Sequence, residues 1–201
     1  QFDAADRSLE TAHRISRERG DTDLERAALR SIGLLRWYEG LHGEALVLTE
    51  DALAIDRATG DDLAVAGDLA NICSILRSLG DYGAALARIE EALAMPVLAD
   101  DSRTLVYALH KEASVHRSLG NLDRALTILR MADDITKSHL LPIQRSFHLT
   151  SIAHLELEQG HVESAIGAYE EAIDFSRRAR HAEGLVHALR TLGEVLFGFE
   201  R

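Results

Sequence analysis

The sequence is short of cysteine, proline, lysine and aromatic residues, and each shortage excludes something. It has one cysteine, Cys73, so no internal disulfide can form and nothing marks a secreted, stapled fold. It has two prolines, Pro96 and Pro142, few for a chain with many turns. Aromatic residues make up 5%, which leaves alanine and leucine to fill a core. Only Lys111 and Lys137 are lysine; the other 20 of the 22 basic residues are arginine, a skew typical of high-GC coding. Positive charge is in deficit overall, with a net charge of −11. A chain this acidic repels a phosphate backbone, so no nucleic-acid partner is expected. No apolar run approaches the length needed to span a bilayer, and no signal peptide is present. The expected location is cytoplasmic, with no membrane partner. Without an initiator methionine, Gln1 reads as a cut inside a longer protein, expected to continue in both directions. There is no GxGxxG, P-loop, HExxH or Ser-His-Asp ordering, so neither an enzyme nor a cofactor is expected. No segment alternates with period two, so no strands are expected.

What the chain does have is a repeat. Gly40, Gly80, Gly120 and Gly160 are spaced by 40 residues. Ala5, Ala45, Ala85, Ala125 and Ala165 keep the same spacing, as do Ala12, Ala52, Ala92, Ala132 and Ala172. Leu29, Leu69, Leu109, Leu149 and Leu189 form another series, and Gly33, Cys73, Ala113, Ala153 and Gly193 a series of small residues. Self-similarity at such a period marks a stacked array, in which each repeat buries its apolar face against its neighbours. An apolar fraction of 46% is enough for that core.

Each period reads as two helices. In the first, apolar or small residues recur at helical spacing, as in Leu69, Ile72, Cys73 and Leu76. The repeat glycine then ends that helix, and Asp81 or Asn121 is placed to cap the next. The second helix carries the alanine series. A second break lies halfway through the period, at Gly20-Asp21-Thr22, Gly60-Asp61-Asp62 and Asp100-Asp101-Ser102. Thr22 with Glu25 spells a capping box, and Pro142 suits a first turn. The expected helices run over about 2–19, 22–39, 42–58, 62–79, 82–95, 102–119, 122–138, 142–159, 162–179 and 182–199. The expected organisation is a single domain over 1–201. It comprises a half repeat (1–20), repeats at 21–60, 61–100, 101–140 and 141–180, and a half repeat at 181–201. The last helix is expected to expose Leu192, Val195, Leu196 and Phe199, a possible surface for self-association.

Ser78-Leu79-Gly80-Asp81-Tyr82, followed by Ala85 and Glu90-Glu91-Ala92-Leu93, resembles a tetratricopeptide repeat (TPR). The phrase returns at Ser118-Leu119-Gly120-Asn121-Leu122 with Ala125 and Ala132, and at Glu158-Gln159-Gly160-His161-Val162 with Ala165, Tyr169 and Ala172. The family's usual period is 34 residues with a proline near its end. Here only Pro96 lies near that place, and the longer period resembles repeats in bacterial signalling and transcriptional regulators. The resemblance implies an all-α fold: a right-handed α-solenoid of antiparallel helix pairs, a superhelix of about ten helices. Two positions depart from the pattern. Glu112 stands where Ile32, Ile72, Ile152 and Leu192 stand, and Asp133 where Leu53, Leu93 and Ile173 stand. Either the packing loosens there and the side chains reach water, or each acid pairs with a nearby Arg or His.

The resemblance also implies that the first helices line one continuous concave groove. Its residues lie one step round from the buried leucines: Arg30, Leu34 and Trp37; Asn71, Ser74 and Arg77; Tyr107, His110, Lys111, Ser114 and Arg117; Phe147, Thr150, Ser151, His154 and Leu157; His187, Arg190 and Glu194. These positions are richer in arginine and aromatics than the acidic chain around them. They suit a protein or peptide carrying carboxylates and an apolar anchor. Arg30, Asn71 and Lys111 partly match a clamp by which some family members hold a terminal carboxylate, but Leu34 and Tyr107 replace its polar members. Ten histidines invite a metal reading. His110 and His116, like His148 and His154, are six apart, which does not put both rings on one helical face, so no metal is expected. Cys73 reads as a small packing residue rather than a nucleophile. The leading functional expectation is a non-catalytic, partner-binding scaffold. The alternatives are a ligand- or peptide-sensing segment of a bacterial regulator and a structural or self-associating spacer.

Overall fold

The computed structural model describes residues 2–139 and 142–199, with side chains except at 2–5, 142, 143, 183, 198 and 199. Among the described residues there are ten α-helices, one 3-10 turn and no strand. The helices are α1 (Phe2–Arg19), α2 (Thr22–Tyr38), α3 (His42–Thr59), α4 (Asp62–Ser78), α5 (Tyr82–Leu93), α6 (Ser102–Ser118), α7 (Leu122–Ser138), α8 (Pro142–Glu158), α9 (Val162–Arg178) and α10 (Ala182–Phe199). Nine begin and end within a residue of where the periodicity puts them. The exception, α5, stops at Leu93. Met95 is extended (ψ 125°) because the following Pro96 bars it from helical backbone, and Pro96–Ala99 forms the 3-10 turn.

The turns follow from local chemistry. Gly80 takes φ +80°, a left-handed conformation that costs glycine nothing, and the chain reverses from α4 into α5. The Asp81 carboxylate then accepts from the Ala84 N–H at 3.0 Å, and Asp61 caps α4 through Ala64 in the same way. The cap of α2 is Asp21, not Thr22: its carboxylate accepts from the Leu24 N–H, and Thr22 already lies inside the helix. An ionised carboxylate at a helix N-terminus also complements the dipole, an advantage threonine lacks. Asn121 occupies the cap position of α7 but makes no side-chain cap bond.

The helices group into two compact parts, residues 1–104 and 105–201. In the first, α2 packs on α1 and α3, and α4 on α3 and α5. In the second, α8 packs on α7 and α9, and α10 on α9 and α8. Within each part, helices consecutive in sequence pack on one another, the arrangement of an all-α repeat solenoid. Ala45, Ala52, Ala85, Ala92, Ala125, Ala132, Ala165 and Ala172 are all fully buried, so helices approach closely where they cross. Gly33, Cys73, Ala113 and Ala153 are buried too. The register ends its burial at α10. Leu189 is 43% exposed where Leu69 is 0%, and Leu196 and Phe197 are exposed. Leu192 and Val195 instead pack partly against the buried core that holds Ala153, Ala165 and Tyr169. The Phe199 side chain lies outside the described residues.

Of the two acids at core positions, Asp133 is buried and paired. It accepts from Arg145 Nε at 3.1 Å and faces Lys137 Nζ at 2.6 Å. The pairing reading holds there. Glu112 is mostly covered, with His116 and Arg124 each at 3.8 Å.

Candidate functional site

The first helices of the repeats (α2, α4, α6, α8 and α10) carry the expected binding residues, which fall on both parts of the chain. In the N-terminal part, Leu34 and Tyr38 of α2 are 55% and 68% exposed. Between them Trp37 is half-buried, donating from Nε1 to Ser78 Oγ of α4 at 3.3 Å and meeting Tyr38 edge-on. Ser74 and Asn71 are half-buried on α4, the Ser74 hydroxyl turned back to the Ala70 carbonyl. Arg77, also on α4, makes no ion pair among the described residues. Arg30 does not behave as a binding residue. Its Nε donates to Asp68 at 2.7 Å, and its other nitrogens reach Asp68 and Asp56, so it is consumed by buried acids. That removes the one arginine of the partial carboxylate clamp.

In the C-terminal part, Lys111 lies 4.5 Å over the Tyr107 ring, a cation–π contact between consecutive turns of α6. His110 Nε2 is 2.9 Å from Ser151 Oγ, and its ring meets His148 edge-on at 5.2 Å. The Ser114 hydroxyl returns to the His110 carbonyl. Arg117 is held by Glu158 of α8. Thr150 faces the wrong way for binding: it is buried, its hydroxyl bonded to the Ser146 carbonyl. His154 is half-buried, edge-on to Tyr169 and His187. Burial is the main reason that its pKa is lowered, with Arg117 and His187 adding to the effect. His148 is more deeply buried and drops to about 4, so its ring is neutral. Tyr169 is buried without a hydrogen-bond partner for its hydroxyl, and desolvation pushes it up to about 12.

Phe147 of α8 and Ala182, Val186, His187 and Arg190 of α10 line one open cleft of about 700 Å³. Phe147 and Val186 are exposed, apolar and adjacent, and Phe147 is braced edge-on by His181 at 5.3 Å. Arg190 makes no ion pair among the described residues. The cleft therefore pairs an apolar floor with an uncommitted cation. Register located Phe147, His187 and Arg190. It did not locate Ala182 and Val186, which occupy the first turns of α10, outside the positions aligned with the groove. Nor did it locate the acids around Arg30, although a signal existed. Asp56 stands where Ser16, Pro96, Thr136 and Ser176 stand, and Asp68 where Ala28, Ala108, His148 and Ala188 stand. Among the described residues no group of three or more His, Cys, Asp or Glu side chains is placed to hold a metal ion. No helix among them is long and apolar enough to cross a membrane.

Many solved structures share this arrangement of helices, and the following three are distant in sequence. BtubC from P. vanneervenii superposes with a TM-score of 0.73 at 19% identity, over 89% of this chain and 76% of its own length. A Rap protein solved in complex with Competence and Sporulation Factor gives 0.79 at 15% identity, over 97% of this chain and 60% of its own. A signal transduction ATPase with a tetratricopeptide repeat sensor from Pyrococcus horikoshii gives 0.74 at 14% identity, over 99% of this chain but 32% of its own. The chain thus spans less than two thirds of the last two. A sequence search of curated proteins finds no match. The model of one family does match the sequence, three times with overlap, at residues 63–119, 78–140 and 116–196. With most of its length so matched, the chain belongs to the TPR-like helical-repeat family described as anaphase-promoting complex subunit 5.

Proposed function

We propose that this chain is a non-catalytic scaffold that holds a protein or peptide on the exposed face of its first-type helices. The cleft between α8 and α10 carries the proposal. It offers exposed Phe147 and Val186 to an apolar side chain, and Arg190 to a carboxylate. An uncommitted cation beside an aromatic ring is the kind of pair that anchors partners. The overall charge of −11 would repel an acidic peptide at long range. Local positive charge is then what selects it. The N-terminal part offers a second such surface, with Leu34, Trp37 and Tyr38 beside Arg77. Arg117 is less available, because a partner must first displace Glu158.

A second reading, a sensing segment of a bacterial cytoplasmic regulator, draws support from the arginine-rich composition and from the likeness to the ATPase with a repeat sensor. The first reading is tested by selecting peptides from a random display library on the 201-residue chain. Selected peptides should share a bulky apolar residue next to a carboxylate. Their binding should fall at least tenfold in Arg190→Glu or Arg77→Glu, with the circular dichroism melt unchanged. Selected peptides that bind both variants as tightly as the parent chain would place the partner elsewhere.

A further inference from the structure

Beyond the binding surfaces, the N-terminal part contains a cluster of charges at odds with the rest of its core. Asp56 of α3 and Asp68 of α4 are 0% and 1% exposed. Both bond the same guanidinium: Arg30 Nε donates to Asp68 at 2.7 Å, while its terminal nitrogen reaches Asp68 and Asp56 together. Arg26, one turn earlier on α2, donates to Asp56 at 2.8 Å and to Asp61, in the α3–α4 turn, at 2.9 Å. Arg26 also meets the exposed Asp23 at 3.2 Å. Three carboxylates thus meet two guanidiniums, but Asp61 is 43% exposed, so the excess of negative charge closed off from water is the buried pair, Asp56 and Asp68, on the one guanidinium of Arg30.

Such an excess is costly. A buried charge without full compensation either disrupts its surroundings or takes up a proton. Among the three carboxylates, Asp61 has the least reason to do so: it caps α4 by accepting from the Ala64 N–H and is held below its usual range. Asp56 is bonded by both arginines. Asp68 is bonded by Arg30 alone and faces Asp56, so the proton's cost is least there. The α5 helix and the Pro96–Ala99 turn, which also pack on α4, place no charged group in ion-pair range of Asp68 among the described residues.

We propose that Asp68 is a proton-binding site, through which mild acid stabilises the N-terminal part. Neutral Asp68 donates its O–H to Asp56, which removes the repulsion between the two buried carboxylates and leaves Asp56 with both arginines. Burial, together with Asp56, raises the Asp68 pKa to about 6, against the pull of Arg30. The sign follows. The native state binds this proton more readily than the unfolded chain does. Its contribution is therefore full below the ordinary carboxyl value and is lost as pH rises through about 6. This is the reverse of the usual behaviour of a salt-bridged carboxylate. In the repeat register the equivalents are Ala28, Ala108, His148 and Ala188, so no other repeat places an acid there.

The test compares the parent chain with Asp68→Asn in urea unfolding between pH 4.5 and 7.5. Asparagine keeps the shape and carries a permanent N–H donor where the protonated acid has its O–H. As pH rises from 5 to 7, the unfolding constant of the parent should increase relative to that of Asp68→Asn. The ratio should climb most steeply near pH 5, where the slope approaches about tenfold per pH unit for one linked proton, and level off above pH 6. Equal pH dependence in the two chains would overturn the proposal. If Asp68→Asn does not fold, the Asp68 side-chain carboxyl carbon of the native parent is followed by NMR. A midpoint near 6 supports the site, and one below 4.5 refutes it.

Discussion

Leucine placed at Gly33 and at Gly193 tests the packing argument at two positions of identical register. Gly33 lies inside α2, against α3. A Cβ there would stand 3.1 Å from Thr49 Oγ1, 3.5 Å from the Ala45 carbonyl oxygen and 3.5 Å from Leu48 Cβ. Thr49 cannot swing aside freely, because its hydroxyl is bonded to the Ala45 carbonyl at 2.8 Å. A Cβ at Gly193 meets nothing within 4 Å. Leucine is a better helix former than glycine by about 1 kcal/mol, and both sites gain that. At Gly33 the remaining side-chain carbons have no room, and overpacking costs roughly 1–3 kcal/mol. Gly193→Leu should therefore stabilise slightly. Gly33→Leu should fall below it by the overpacking cost, about 1–3 kcal/mol. Urea unfolding followed by circular dichroism measures both, and amide hydrogen exchange locates each change in its own part of the chain. If Gly33→Leu proves as stable as Gly193→Leu, the small-residue series does not mark close helix crossings.

Further outcomes follow from the buried groups. Cys73 is fully buried, so its thiol should resist labelling until the chain unfolds, and Cys73→Leu should cost roughly 1–3 kcal/mol in urea unfolding. Tyr169→Phe should be neutral or stabilising by up to about 1 kcal/mol in the same assay, because the hydroxyl it removes is buried without a partner. A loss above that size would reveal a bond to the hydroxyl. Neutral His148, at about 4, contributes stability that is full above the ordinary histidine value and is lost as pH falls toward 4. The loss is on the order of 3 kcal/mol, and it should vanish in His148→Ala when thermal melts are compared at pH 7 and 4.5.

The architecture was legible because a forty-residue register repeats its constraints. Ala85 or Leu69 alone says little, but five copies in phase leave one way to bury them all. Helix ends were legible from the glycines and the aspartates after them, and the early end of α5 from Pro96. The binding surface was less legible. Register tells which face a residue occupies, not what its neighbours do to it. Arg30 and Arg77 share a face, yet Arg30 is consumed by Asp56 and Asp68 while Arg77 is not. Thr150 lies one step too far round α8 and is buried. The proton-binding cluster breaks the repeat, and what marked it was a departure from pattern, two acids at positions where no other repeat has one.

The central claim is that partners bind the first-type helices. Its most direct test is backbone amide NMR of the chain titrated with a peptide selected on it. Shift changes should concentrate on α8 and α10 around Phe147, Val186 and Arg190, with or without a second set on α2 and α4 around Tyr38 and Arg77. Changes confined to α3, α5, α7 and α9 would contradict the account.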